Sequence, residues 1–191
     1  DNTNPAVDAL NAGDPPLSDS FTGLTEDGTH QVITVTIQGD NDAAIISGTT
    51  NGTVDEDDIV NTAAGTLSHT DVDNTDNLFQ SNTGPGVNGY GSFTVTQAGA
   101  WVYSLNNSNS AVDALNAGDP PLSDSFTVLA EDGTQQVITV SIQGSNDGPV
   151  ALADDYSGDE DTTLSGNVIA GTIAGGGSLV SGGLDSDVDS S

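Results

Sequence analysis

Apolar and polar positions alternate along Gln31–Gln38, QVITVTIQ. Ile33, Val35 and Ile37 share one face, and Thr34 and Thr36 share the other. A period of two predicts a strand with one buried side. Glu26-Asp27-Gly28-Thr29 precedes it, a Gly-bearing turn between two apolar runs, which predicts a hairpin with the strand that carries Phe21 and Leu24. Gly91–Gln97 alternates in the same way, with Phe93 and Val95 on one face. After the turn Gln97-Ala98-Gly99-Ala100, Trp101, Tyr103 and Leu105 face together and are the candidate core anchors. One short helix is expected: Asn4 caps it, Pro5 takes the first helical position, Val7 and Leu10 point inward, and Gly13 ends it.

These elements recur. Ala6–Thr22, AVDALNAGDPPLSDSFT, returns unchanged at Ala111–Thr127, and Asp1–Asp42 aligned with Asn106–Asp147 gives 34 identities in 42 positions. The strand face returns as Ile138, Val140 and Ile142, and the helix as Asn109, Val112, Leu115 and Gly118. A step of 105 residues is the size of a whole sandwich domain, too long for a solenoid turn. The chain therefore reads as a window on a longer tandem array. Residues 1–42 carry the second half of one module, 43–147 a complete module, and 148–191 the start of a further one. Asp1–Asp42 lacks a Trp/Tyr strand to cover its own, so its apolar face and edges are expected to stand open.

Charge changes the picture. There are 29 Asp and Glu and no Lys or Arg, a formal net charge of −29. The chain has no permanent cation, so conventional salt bridges are impossible, and nucleic acid and anionic membrane surfaces are repelled. Cys is absent, which excludes disulfides and thiol chemistry. No run of 18 apolar residues exists to form a spanning helix. Compensation is expected from solvent cations, and hard divalent ions prefer the oxygens of Asp, Glu and Asn.

Three acidic groups stand out: Asp55-Glu56-Asp57-Asp58, Asp71-Val72-Asp73 with Asp76 close behind, and the pairs Asn41-Asp42 and Asn146-Asp147. In an extended backbone Asp71 and Asp73 point the same way, and Asp76 can curl back from the following turn. The loop lacks the Gly and distal Glu of an EF-hand. His30 and His69 are the only imidazoles, and the repeat replaces His30 with Gln135, so a catalytic histidine is not expected. Nucleophile elbows, phosphate loops and zinc signatures are missing. One Trp and three Tyr make a poor sugar platform for paired carboxylates. No enzymatic role is expected.

The full module resembles the VCBS repeat of large bacterial surface and secreted proteins. The resemblance rests on Gly65-Thr66-Leu67, Thr70-Asp71-Val72-Asp73, Tyr90-Gly91-Ser92-Phe93-Thr94, Gly99-Ala100-Trp101-Val102-Tyr103, Ala111-Val112-Asp113-Ala114-Leu115, Asp124-Ser125-Phe126-Thr127 and Gly144-Ser145-Asn146-Asp147. The last part, ALADDYSGDEDTTLSGNVIAGT, is similar to cadherin-like repeats of RTX-type adhesins. The resemblance implies an all-β fold of tandem Ig-like or cadherin-like Greek-key β-sandwich modules in a secreted or cell-surface adhesin, stiffened by Ca²⁺ at module junctions. By analogy with cadherins, Asn41, Asp42, Glu56, Asp71 and Asp73 close one junction. Asn146, Asp147 and Glu160 serve the next, with Asp185 and Asp187, while Asp27 and Asp132 approach the opposite end. The implied work is mechanical: to space and present distal binding domains, with neighbouring modules of the same protein as partners. Two other readings stay open. One is a head-to-tail extracellular filament in which neighbouring subunits complete each other's half-modules. The other is a spacer within a secreted hydrolase.

Overall fold

The computed structural model describes residues 3–74, 77–150, 155–157, 160–161, 165–167, 172–174 and 178–181. Backbone contacts divide the chain into two compact units. One comprises Asp1–Val54, Val60–Leu105 and Ser123–Ser141, and the other Asp55–Ile59, Asn106–Leu122 and Ile142–Ser191.

The first unit begins with helix α1 (Pro5–Asp8) and the antiparallel hairpin β1 (Leu17–Leu24) and β2 (His30–Ile37), in register from Leu17↔Ile37 to Leu24↔His30. Asn4 caps α1 by accepting from the Ala6 N–H at 3.0 Å. The helix stops at Asp8, earlier than the sequence predicts, and Gly13 lies in a separate turn beyond it at φ +93°.

Strands β3 (Ile45–Gly48), β4 (Asn51–Asp55), β5 (Thr62–Thr70), β6 (Asn82–Pro85), β7 (Gly91–Val95) and β8 (Ala100–Leu105) follow. Beyond the second helix come β9 (Leu122–Leu129) and β10 (Gln135–Gln143). They form two sheets, of order β3-β5-β8-β7-β6 and β4-β10-β9.

Aromatic side chains from both sheets meet in the core. Phe93 stacks on Phe126 with centroids 4.4 Å apart, and Trp101 meets the edge of the same ring at 5.7 Å. Trp101, Tyr103, Phe126, Val128, Ile138 and Val140 are all buried, as the alternation predicts. Gly65 pairs with Trp101 across β5 and β8, and a Cβ there would lie 2.6 Å from the indole, so the ring needs glycine beside it. The indole N–H donates to Thr49 C=O at 2.9 Å.

Asp124 is buried in this core and was not singled out by sequence. It accepts from the Tyr103 hydroxyl at 2.8 Å and from the N–H groups of Asn88, Tyr90 and Ser125 at 2.9, 3.2 and 2.8 Å. Burial, then the bond to Asp124, drives the Tyr103 hydroxyl far above its usual range. A Cβ on Gly86 would lie 2.1 Å from Asp124 Oδ2, so only glycine admits the carboxylate. The counterpart in the first copy, Asp19, is exposed and accepts from Ser20 N–H.

In the second unit, α2 (Ser110–Asp113) repeats α1, with Asn109 accepting from Ala111 N–H at 3.0 Å. Val112, Leu115 and Ile142 are buried. Strands β11 (Asp155–Ser157) and β14 (Ser178–Ser181) pair antiparallel, as do β12 (Ser165–Asn167) and β13 (Thr172–Ala174). The described residues form an all-β sandwich with one short helix per repeat.

The Asp124 knot gives a direct test. Tyr103→Phe is expected to cost about 1–3 kcal/mol by urea unfolding, because a buried acceptor loses a donor. Asp19→Ala, at the matching exposed position, is expected to change stability by less than about 0.5 kcal/mol.

Candidate metal centre

Two carboxylate groups lie at repeat-related linkers. In each linker the Asn side chain turns onto the next residue. Asn41 Nδ2 donates to Asp42 C=O at 2.9 Å, and Asn146 Nδ2 donates to Asp147 C=O at 2.7 Å.

The first group is in the first unit. Beyond β5, the N–H groups of Asp73 and Asn74 both donate to Asp71 Oδ1 at 3.2 Å, an Asx turn that fixes the D-x-D. Asp73 Oδ2 accepts from Asp42 N–H at 2.9 Å. Asp132, in the β9–β10 turn, accepts from Ala44 N–H at 3.0 Å. Two carboxylates thus hold the linker backbone. Asp71 Oδ2 and Asp73 Oδ1 remain buried with no hydrogen-bond partner. Asp8 of α1, Asp42 and Asp71 line one open pocket.

The second group is in the second unit and brings together Glu56, Asp113 and Asp147. One oxygen from each lies within 4.8 Å of the others. Among the described residues it is the one such group of three or more His, Asp or Glu side chains. Glu56 is only 2 % exposed. Its Oε2 accepts from Ser145 N–H at 3.3 Å, and its Oε1 is buried without a partner.

Electrostatics set both groups apart from ordinary surface acids. Burial, reinforced by Asp147, Asp57 and Asp113, pushes Glu56 up to about 7, against the pull of its bond from Ser145. Burial, then the neighbouring Asp73 side chain, holds Asp71 above the usual carboxylate range, and the Asp71 side chain holds Asp73 below it. Burial also acts to raise Asp132, but hydrogen bonds from Thr134, Ala44 and Asn41 outweigh it and leave Asp132 low. No Lys or Arg exists to neutralise these carboxylates. Clustered hard oxygens, several lacking donors, fit an oxygen-seeking divalent cation such as Ca²⁺.

The grouping differs from the sequence expectation in several respects, and Asp132, expected at the opposite end, instead holds the Ala44 N–H beside Asp42 because the β9–β10 turn reaches that segment. The structure brings Asp42 together with Asp71 and Asp73, next to Asn41. Glu56 stands with Asp113 and Asp147 rather than with the Asn41–Asp42 pair. The reason is strand direction. Thr139 N–H bonds Thr50 C=O at 3.1 Å and Glu56 N–H bonds Gln143 C=O at 2.9 Å, so β4 and β10 advance together. Residues after β4 therefore arrive beside residues after β10. Asp113 was missed as a site residue, although its duplicate Asp8 occupies the same place on α1. Glu160 is exposed in a turn and joins no acidic group among the described residues. Asp76, Asp185 and Asp187 lie outside the described residues. Asp27 is exposed, and hydrogen bonds from Thr25 and Thr29 hold it down at about 2. His69 is buried, donates from Nε2 to Leu78 C=O at 2.9 Å and meets Phe79 edge-on.

A two-sheet sandwich with acidic linker groups defines a cadherin-like structural module. The protein-family model of the bacterial cadherin-like domain matches residues 41–144, more than half of the chain, and the chain belongs to that family. No curated protein matches it.

The sign of the Glu56 shift fixes a pH dependence. Below about pH 4.5 Glu56 is protonated in both folded and unfolded chains. As pH rises toward 7 the unfolded chain ionises first. The cation-free protein is therefore expected to lose stability between about pH 4.5 and 7, by roughly 3 kcal/mol at most from this group. Glu56→Gln is expected to flatten that slope in urea unfolding measured across pH in EDTA.

Proposed function

We propose that this chain is a calcium-stiffened, non-enzymatic structural repeat of a secreted or cell-surface bacterial adhesin of VCBS and RTX type. Its work is to space and present distal binding domains. The observation that carries this reading is the pair of linker groups. Asp8 and Asp113 are repeat copies, and so are Asp42 and Asp147. One linker gathers the D-x-D of the module that follows it. The other gathers Glu56 of the module that ends there. In a tandem array each junction would combine both sets: a Glu, a helix Asp and a linker Asp-Asn from one module, and Asp71 and Asp73 equivalents from the next.

Such a junction offers the many flexible oxygens that Ca²⁺ takes and Mg²⁺ avoids. Extracellular modules commonly bind Ca²⁺ at on the order of 10⁻⁴–10⁻³ M, so sites of this kind fill outside the cell and stay empty inside it. The family supports an extracellular location, and an affinity in this range would fit it. Module boundaries at 42/43 and 147/148 place each Asn-Asp pair at the end of a module.

Thermal unfolding in calcium and in EDTA tests the reading. With Ca²⁺ at about 100 times its dissociation constant, stabilisation of about 2.7 kcal/mol per site is expected. This appears as a rise in Tm of several degrees. Asp71→Asn with Asp73→Asn is expected to remove part of that rise, and Glu56→Gln another part. An unchanged Tm in excess EDTA would contradict the proposal.

A further inference from the structure

The turn between β6 and β7 is heavily pinned. Gly86 N–H donates to Gly91 C=O at 3.0 Å, Val87 N–H to Ser125 C=O at 2.9 Å and Gly89 N–H to Gly86 C=O at 3.1 Å. Asn88 N–H and Tyr90 N–H meet the two oxygens of Asp124 at 2.9 and 3.2 Å. Asn88 is exposed, and its Nδ2 donates to Ser123 C=O at 2.7 Å. Gly89 lies at φ +74°, with nothing within 4 Å of where a Cβ would stand.

An Asn-Gly step is prone to modify itself. Glycine puts no side chain in the way of its own backbone nitrogen and reaches conformations that other residues avoid. That nitrogen can attack the Asn side-chain carbon, Cγ. A new N–C bond forms, the nitrogen gives up its proton, and the side-chain amide leaves as ammonia. Water then opens the succinimide ring at one of its two carbonyls, giving Asp or isoaspartate. The chain holds two such steps, Asn51-Gly52 and Asn88-Gly89.

We propose that Asn88-Gly89 is a self-modification site, a deamidation centre that the Asp124 knot guards and whose conversion unfastens that knot permanently. Both reacting groups are engaged in the folded turn. The attacking nitrogen's N–H bonds Gly86 C=O, and the leaving amide bonds Ser123 C=O. Ring closure needs both released, so the reaction waits on local opening of the turn. Asp124 controls that opening. Its carboxylate holds the N–H groups on either side of Gly89 and is itself tied to the Tyr103 hydroxyl. The product does not refasten. A carboxylate replaces the amide donor and faces Ser123 C=O, acceptor against acceptor. Isoaspartate also adds a methylene to the backbone ahead of Gly89, so the N–H groups of residues 88 and 90 lose the spacing that the two Asp124 oxygens require. Gly86 leaves the turn no slack to follow, since a Cβ there would already lie 2.1 Å from Asp124 Oδ2. Any event that opens this turn, by heat or by tension, is recorded as a lasting change at residue 88. The inference goes beyond the structural role proposed above and holds with or without calcium.

The test incubates the full chain in mildly alkaline buffer and follows Asn51 and Asn88 by peptide mapping that separates Asp from isoaspartate. Native Asn88 is expected to convert at least about tenfold more slowly than Asn88 of the chain unfolded in urea. Tyr103→Phe is expected to speed conversion at Asn88 about tenfold in the folded chain while changing Asn51 less than about twofold. Asn51, on β4, separates opening of the knot from global unfolding, which would speed both sites. A second arm does not depend on Tyr103: the urea midpoint of Asn88→Asp is expected to fall, and that of Asn51→Asp to stay. The proposal is overturned by native conversion at Asn88 as fast as in urea, by a Tyr103→Phe chain that converts Asn88 no faster or speeds both sites equally, or by an unchanged midpoint for Asn88→Asp.

Discussion

A buried carboxylate in this protein has no side-chain cation to meet it. With no Lys or Arg in 191 residues, each buried acid must find N–H and O–H donors, share a proton, or await an ion from solvent. The module contains one acid fully met by donors and two groups that are not. Asp124 is met by four donors and ties a turn to both sheets. Asp71 and Asp73 each accept backbone N–H groups on one oxygen and keep the other buried without a donor. Glu56, beside Asp113 and Asp147, is pushed up to about 7 by burial and like charge, with one oxygen left without a donor. The satisfied acid serves the core, and the two unsatisfied groups lie beside the Asn41-Asp42 and Asn146-Asp147 pairs.

The internal repeat acts as a control on these assignments. Asp19 and Asp124 are the same residue in the same local sequence. Only the second bonds a tyrosine and sits against a close-packed glycine, Gly86. Phe21 and Phe126 differ in the same way. Local sequence therefore fixes the hairpin, its turn and its helix cap in both copies. Burial comes from the opposing sheet, which only the second copy has among the described residues. The hairpin forms regardless, with its register set by cross-strand bonds and the Gly28 turn at φ +85°.

Much of this was legible in the sequence. Period-two alternation located β2, β7, β8 and β10, and the parity of Trp101, Tyr103 and Leu105 identified the core face. The resemblance to cadherins grouped Asp42 with Asp71 and Asp73, and in the structure Asp73 holds the Asp42 N–H. What stayed hidden depended on strand order. Alternation cannot tell that β4 leaves the sheet of β3 and runs beside β10, so the position of Glu56 was assigned to the wrong linker. Asp113 looked like a helix residue because its acidity serves a group assembled from distant segments. Nothing local to Asp124 announces the donors that Asn88 and Tyr90 bring to it. Helix length was overestimated because Gly13 suits a helix end and a later turn equally well.

The most direct test of the central claim is an anomalous difference map from crystals grown in millimolar calcium. The account expects a peak bounded by Glu56, Asp113 and Asp147, and another beside Asp42, Asp71 and Asp73. Well-ordered carboxylates with no anomalous density at either place would contradict it, and would mean that protons alone balance these buried charges.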